Sequence, residues 1–263
     1  MTLKEDRLRT IKYAKSFGCE LSEKQVMERL IGKTPYVIAI RRLAEKQSRR
    51  DHHVVITPRD DTFLKKMKKA QKLVKKLSKK FKNILFIGVT GSVAAGFPKK
   101  NDDIDLFIIV KSNTLWITRF WIRIFVALHK IPHRKFGKTE KKDEFCFNMW
   151  LDESALKIPK NRQNLRNAVD MVLMKKVYDR ENTYFKFLKA NDWAKKYTAT
   201  PYYNLLSKSP SSATAEVSLF DKRGTKTLNF LYFVFQYWYL RLKKRKNVVD
   251  LHRAMWGDGR NIL

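Results

Sequence analysis

Residues 103–110, DIDLFIIV, put two aspartates one residue apart at the head of an otherwise apolar run. Such a run reads as a buried strand, on which residues i and i+2 leave the same face. Asp103 and Asp105 then stand side by side, while Ile104, Leu106 and Ile108 point the other way, into a core. Two like charges held together against a core raise each other's pKa unless a cation neutralises them. A divalent ion does this, and Mg²⁺ combines one or two carboxylates with phosphate oxygens and retained water. Asp102 precedes the pair, and alternation sends it to the opposite face, as a loop or edge residue.

One strand earlier, NILFIGV over residues 83–89 runs into Gly91 and Ser92. Glycine permits a tight turn there. The amides that open the following helix, with the Ser92 hydroxyl beside them, form an anion site suited to a nucleotide phosphate. This is not a P-loop, because no Gly-Lys-Ser/Thr follows and the carboxylates arrive only on the next strand.

The segment GSVAAGFPKKNDDIDLFII resembles the nucleotidyltransferase fold superfamily, which includes DNA polymerase β, the CCA-adding enzymes and the small antibiotic-modifying transferases. Members carry Gly-Ser on a short helix and Asp-x-Asp or Asp-x-Glu on the following strand, here Gly91, Ser92, Asp103 and Asp105. A wider similarity, to uncharacterised prokaryotic nucleotidyltransferase-domain proteins with an N-terminal winged-helix-like module, covers most of residues 5–195. It runs through TGSVAAG, DDIDLFIIVKSNTLWITR, FCFNMWL and YFKFLKANDW. The resemblance implies an activity of EC 2.7.7 type. Asp103 and Asp105 would hold a nucleotide-bound Mg²⁺, with Mn²⁺ as a substitute, and a second ion that activates the acceptor hydroxyl. Ser92 and its neighbouring amides would hold the nucleoside triphosphate. A third carboxylate normally comes from a later strand. That strand here is FCFNMWL, whose interior polar residue is Asn148, so Asp143, Glu144, Asp152 and Glu153 on its flanks are the acids available to swing in. Lys111, after the carboxylate strand, and Arg119, on the next helix, are candidates to offset charge on the leaving phosphate.

Lys and Arg number 57 against 25 Asp and Glu, a formal charge of +32, which directs attention to a polyanion. Nucleic acid is the expected partner, RNA ahead of DNA, and a cationic small acceptor would be repelled. Cys19 and Cys146 form no CxxC pair and have no histidine near, so neither a thiol-metal site nor a disulfide is expected. The start MTLKEDRLRT has no apolar leader, and LNFLYFVFQYWYLRL, residues 228–242, is shorter than the ~20 residues of a bilayer span. The expected location is the cytoplasm. No pattern in the sequence specifies an oligomeric state.

The fold class expected is α+β: a small mixed-sheet nucleotidyltransferase core at 61–160, a winged-helix-like module at 1–60 and a helical C-terminal region at 161–263. In the first module, Ser22 and Gln25 form a capping box, Pro35 opens a third helix and HHVVIT supplies a short strand. Residues 61–82 place Phe63, Met67, Ala70, Val74, Leu77 and Phe81 on one stripe of a helix and lysine nearly everywhere else. Two uses fit that face, a rail for backbone phosphates and simple solvation. From residue 164 onward the chain reads as helical, interrupted at YTATPYYN and at the serine-rich stretch SKSPSSATAEVS. Two functions follow: Mg²⁺-dependent transfer of a nucleoside monophosphate to a hydroxyl on RNA or tRNA, or nucleic-acid binding without catalysis.

Overall fold

The computed structural model describes residues 2–35, 58–134, 141–208, 223–241 and 248–255. The third helix and the short strand expected between residues 36 and 57 lie outside the described residues, as does the serine-rich stretch 209–222.

Two capped helices open the chain. Helix α1 (Leu3–Lys15) and helix α2 (Glu23–Glu28) each begin with a full capping box, Thr2 with Glu5 and Ser22 with Gln25, which satisfies backbone donors that a helix start leaves open. Thr10 ties α1 to the chain beyond α2, donating to the Asp6 carbonyl and accepting from the Ile31 amide. Gly32 then passes so close to Asp6 that a Cβ there would stand 2.0 Å from its carboxylate.

The long helix α3 (Pro58–Lys80) follows, then strand β1 (Ile84–Thr90), the short helix α4 (Gly91–Ala95) and strand β2 (Ile104–Val110). Helix α5 (Leu115–Leu128) crosses to strand β3 (Phe145–Asp152). Beyond it come α6 (Leu165–Leu173), β4 (Lys175–Asp179), α7 (Thr183–Ala190), α8 (Lys195–Ser207), α9 (Arg223–Arg241), β5 (Val248–Asp250) and β6 (Arg253–Met255). The strands form one six-stranded sheet in the order β4-β1-β2-β3-β6-β5. Only β2 and β3 run parallel, so the sheet is mixed, as expected. The region after residue 161 is less purely helical than its pattern suggests, since β4 and the β5–β6 hairpin supply both edges of the sheet.

Both faces of the sheet are covered, which explains why β1 and β2 read as nearly unbroken apolar runs. On one face Ile104, Leu106, Ile108 and Val110 pack with Ala70, Val74 and Leu77 of α3, Trp116 and Ile122 of α5 and Leu240 of α9. On the other, Phe107 and Ile109 pack with Phe86, Met171 and Val172 of α6 and Phe187 of α7. Asp105 shares the odd register of Phe107 and Ile109, so its carboxylate leaves on the α6 side.

The interruption at YTATPYYN is a kink inside α8. Thr198 leaves helical geometry, and Pro201 lies three residues on, where its ring cannot continue the ladder. The break lets the Ala199 amide donate to the Gly32 carbonyl, and the Thr200 hydroxyl reaches the Thr34 carbonyl. The N-terminal helices are thereby fastened to the C-terminal ones.

Candidate active site

Antiparallel pairing puts the C-terminal end of β1 beside the N-terminal end of β2, with Thr90 opposite Asp105. The Gly-Ser turn and the paired aspartates are brought together by that register. Gly91 has φ +67, and a Cβ on it would sit 2.4 Å from Asp105 Oδ2. Glycine is needed here twice, for the left-handed backbone and for the space its side chain would take from the carboxylate.

Asp103 and Asp105 do share a face: one oxygen of each lies within 4.8 Å of the other and of the Cys146 thiol. Asp102 is a loop residue, as expected, but it does not turn away from the site: its carboxylate accepts from the Ser92 hydroxyl at 2.6 Å and the Lys99 amide at 2.9 Å. Asp102 therefore belongs to the same site and orients Ser92.

The residue of β3 facing the pair is Cys146. Asp105 pairs with Cys146, but the register then shifts, so that Phe107 meets Met149. The side chain of Asn148, the polar residue expected at this strand, lies outside the described residues. Burial, with Asp105 and Asp103 adding to it, pushes the Cys146 thiol well above its ordinary pKa. The Arg134 guanidinium stands 3.2 Å from Asp103 and 3.9 Å from the sulfur. Arg134 is delivered by residues 132–134, which run beside the start of β3 through Phe145.

Three of the four flanking acids are engaged elsewhere. Asp143 is bound by Lys66 at 3.0 Å and Lys69 at 2.7 Å; burial opposes its ionisation, but the two lysines hold its pKa below the usual value. Asp152 is fully buried and accepts from the Asn113 and Ser154 amides and the Ser154 hydroxyl. Glu153 faces Lys186. Lys66, a lysine on the apolar stripe of α3, is itself 1% exposed and donates to the Asp102 carbonyl at 2.6 Å, fixing the loop that leads into Asp103. Its place on the stripe, four residues before Ala70, was the sequence signal for that role.

The aspartates open onto a cavity of about 430 Å³, within the range of small-ligand sites. Gly91, Ser92, Lys99 and the aspartates form one wall, and α6 contributes Asn167 and Asp170. The N-terminal helices contribute Tyr13, Phe17 and Arg29. Neither Lys111 nor Arg119 lines it. Lys111 follows the far end of β2, about 20 Å from Asp105 at ~3.3 Å per residue. Arg119 is buried under α9, hydrogen-bonded to Gln236, and burial lowers its pKa to about 9. The cations that face the cavity are Lys99, Arg29, Arg162 and Arg166, which strand and helix patterns alone do not pick out.

Residues 70–189 match the family model of the nucleotidyltransferase domain. The match covers a little under half of the chain and contains Gly91, Ser92, Asp103, Asp105 and Cys146. It supports the nucleotidyltransferase superfamily and, in general terms, nucleotidyl transfer with a nucleoside triphosphate as substrate. No curated protein and no solved structure matches the chain. Among the described residues no helix is long and apolar enough to cross a membrane.

The donor set of this site suits one hard cation. Two adjacent carboxylates on a cavity wall, completed by phosphate oxygens and water, meet the demands of Mg²⁺. A protonated thiol does not, because Mg²⁺ takes oxygen ligands and thiolates prefer softer metals. Where a third carboxylate would serve a second ion, this site has Cys146 and the cation of Arg134.

Proposed function

We propose that the chain transfers a nucleoside monophosphate from a nucleoside triphosphate to a hydroxyl on RNA, with tRNA as one such acceptor. The observation that carries this reading is the convergence of Gly91, Ser92, Asp103 and Asp105 on one wall of a nucleotide-sized cavity. Asp103 and Asp105 would hold the nucleotide's Mg²⁺, or Mn²⁺ in its place. That ion, when bound, supplies positive charge to the phosphates and favours the ionised acceptor hydroxyl. Asp102 accepts the Ser92 hydroxyl and so fixes the turn, which leaves the adjacent backbone amides as the donors to the phosphates. Lys99 and Arg29 offset charge as the acceptor oxygen bonds to the α-phosphorus, the bond to the β-phosphate oxygen breaks and pyrophosphate leaves; the hydroxyl proton passes to solvent.

The acceptor is read from charge. Lys68, Lys72, Lys75, Lys76, Lys79 and Lys80 are exposed along α3, a basic face about 18 Å long at ~1.5 Å per residue. We further place the protein in the cytoplasm, with the N-terminal helices contributing to RNA contact.

Incubation with total RNA, Mg²⁺ and each α-³²P-labelled nucleoside triphosphate tests the reading. Label is expected in RNA with wild type and not with Asp103→Ala/Asp105→Ala, while both proteins retain RNA affinity. Equal labelling by the double variant would remove the metal assignment. One observation favours a second reading: Cys146 and Arg134 stand where a second ion would be held. RNA binding that is insensitive to chelator, with no labelling by any of the four nucleotides, would establish a binding protein without transfer.

A further inference from the structure

The wall of the cavity away from the paired aspartates carries a second group of polar and aromatic side chains. Tyr13 of α1 and Phe17 in the turn after it form a tilted ring pair with centroids 5.1 Å apart. Across from them, Arg166 and Asp170 lie one turn apart on the same face of α6, and all four residues line the cavity. Asp170 is close enough to Tyr13 to act with burial in raising that phenol's pKa to about 12. Among the described residues Asp170 accepts no hydrogen bond, and Arg166 acts on it only through the field. In a chain of charge +32, a carboxylate facing a cavity without a partner of its own marks a place where a ligand supplies the donors.

We infer that this group selects guanine: the base stacks on Tyr13 and Phe17, Asp170 accepts its N1–H and N2–H, and Arg166 donates to O6 or N7. The inference rests on the nucleotidyl-transfer reading and names its donor substrate, a guanosine triphosphate. Every base offers a π-face, so the aromatic pair gives affinity without choice. Choice comes from the edge. A carboxylate has only acceptors and a guanidinium only donors, and guanine alone sets two adjacent donors beside an acceptor. Adenine would present its N1 lone pair to Asp170 and its amino group to Arg166, leaving both groups opposed. Arginine on guanine O6 and N7 is the commonest specific base contact in DNA recognition.

Equilibrium dialysis of the full chain with Mg²⁺ and the α,β-methylene analogues of GTP, ATP, CTP and UTP tests this. The guanine analogue should bind at least about tenfold tighter than the other three. Asp170→Asn should abolish that preference and improve binding of the xanthine analogue, because a carboxamide offers one acceptor for N1–H and one donor for the xanthine O2. Asp103→Ala/Asp105→Ala should lose the Mg²⁺ dependence of binding and keep the guanine preference. Equal binding of all four analogues by wild type, unchanged in Asp170→Asn, would overturn the guanine assignment and leave nucleotidyl transfer standing. Failure of all four to bind a protein with a native melting transition would overturn both.

Discussion

Gly91 is the residue on which the site turns, because its missing side chain is where the Asp105 carboxylate lies. In Gly91→Ala the new methyl must push Asp105 aside and the backbone must hold a positive φ that alanine disfavours. Transfer should fall about 100-fold or more, as misplacement of a reacting group by ~1 Å does elsewhere. Single-turnover labelling measures it, with RNA affinity as the control. Asp170 gives a second residue-scale expectation. Burial lifts its pKa to about 6, with Arg166 opposing, so the folded state takes up its proton at higher pH than the unfolded chain does. Its effect on stability therefore becomes unfavourable as pH rises from the ordinary carboxylate range through about 6, and the free protein should melt slightly higher at the acid end of that window from this group. Nucleotide binding runs the opposite way: protonation removes one of the two acceptors facing guanine, so GTP affinity should weaken below about pH 6, flanked as Asp170 is by Arg166 and Tyr13. Dialysis at several pH values on wild type and Asp170→Asn separates this group from the others, because the variant should lose the dependence.

Between α3 and the two loops that flank the carboxylate strand, Lys66 is the connecting element. Its ammonium binds the Asp102 carbonyl, the Lys100 carbonyl and Asp143, so one side chain holds both the loop entering β2 and the turn entering β3. Lys66→Met keeps the volume of the stripe but frees those acceptors inside a nearly closed pocket. The cost should be about 2–3 kcal/mol, the range for removing one partner from a buried charged network, with Lys69 still offsetting Asp143. Urea denaturation reads it. The parallel register of β2 and β3 has its own consequence at this scale, since it decides that the Cys146 thiol faces Asp105. Helix α9 likewise divides its side chains: Gln236 and Asn229 turn inward to cap polar groups of α5, while Phe235 and Trp238 remain 65% and 60% exposed.

At the scale of the whole molecule, charge and architecture act together. The sheet buries its apolar strands between two layers of helices, and the lysines displaced from that core gather on the outside of α3. If that face tracks an RNA backbone through about six phosphates, the logarithm of affinity should fall with the logarithm of salt concentration at a slope near −4. Filter binding between low and moderate salt measures it, and a slope near zero would remove α3 from the interface. The same slope in Asp103→Ala/Asp105→Ala would show that acceptor binding and the carboxylate site contribute independently.

Local patterning alone determined the helix starts at Ser22 and along α3, the buried runs of β1 and β2, and the pairing of Asp103 with Asp105, because each depends on spacing of a few residues along one element. The Gly-Ser and Asp-x-Asp motifs were legible for the same reason, being joined by one short connection. Tertiary structure decided the rest. Only strand register could place Cys146 opposite Asp105, since pairing between strands about 40 residues apart leaves no mark in either strand's own pattern. Only the kink at Thr198 and Pro201 could fasten Gly32 to α8 and bring Tyr13 to the cavity that Asp170 also lines. Those residues are more than 150 positions apart in the chain, and no local pattern carries the packing of a distant helix.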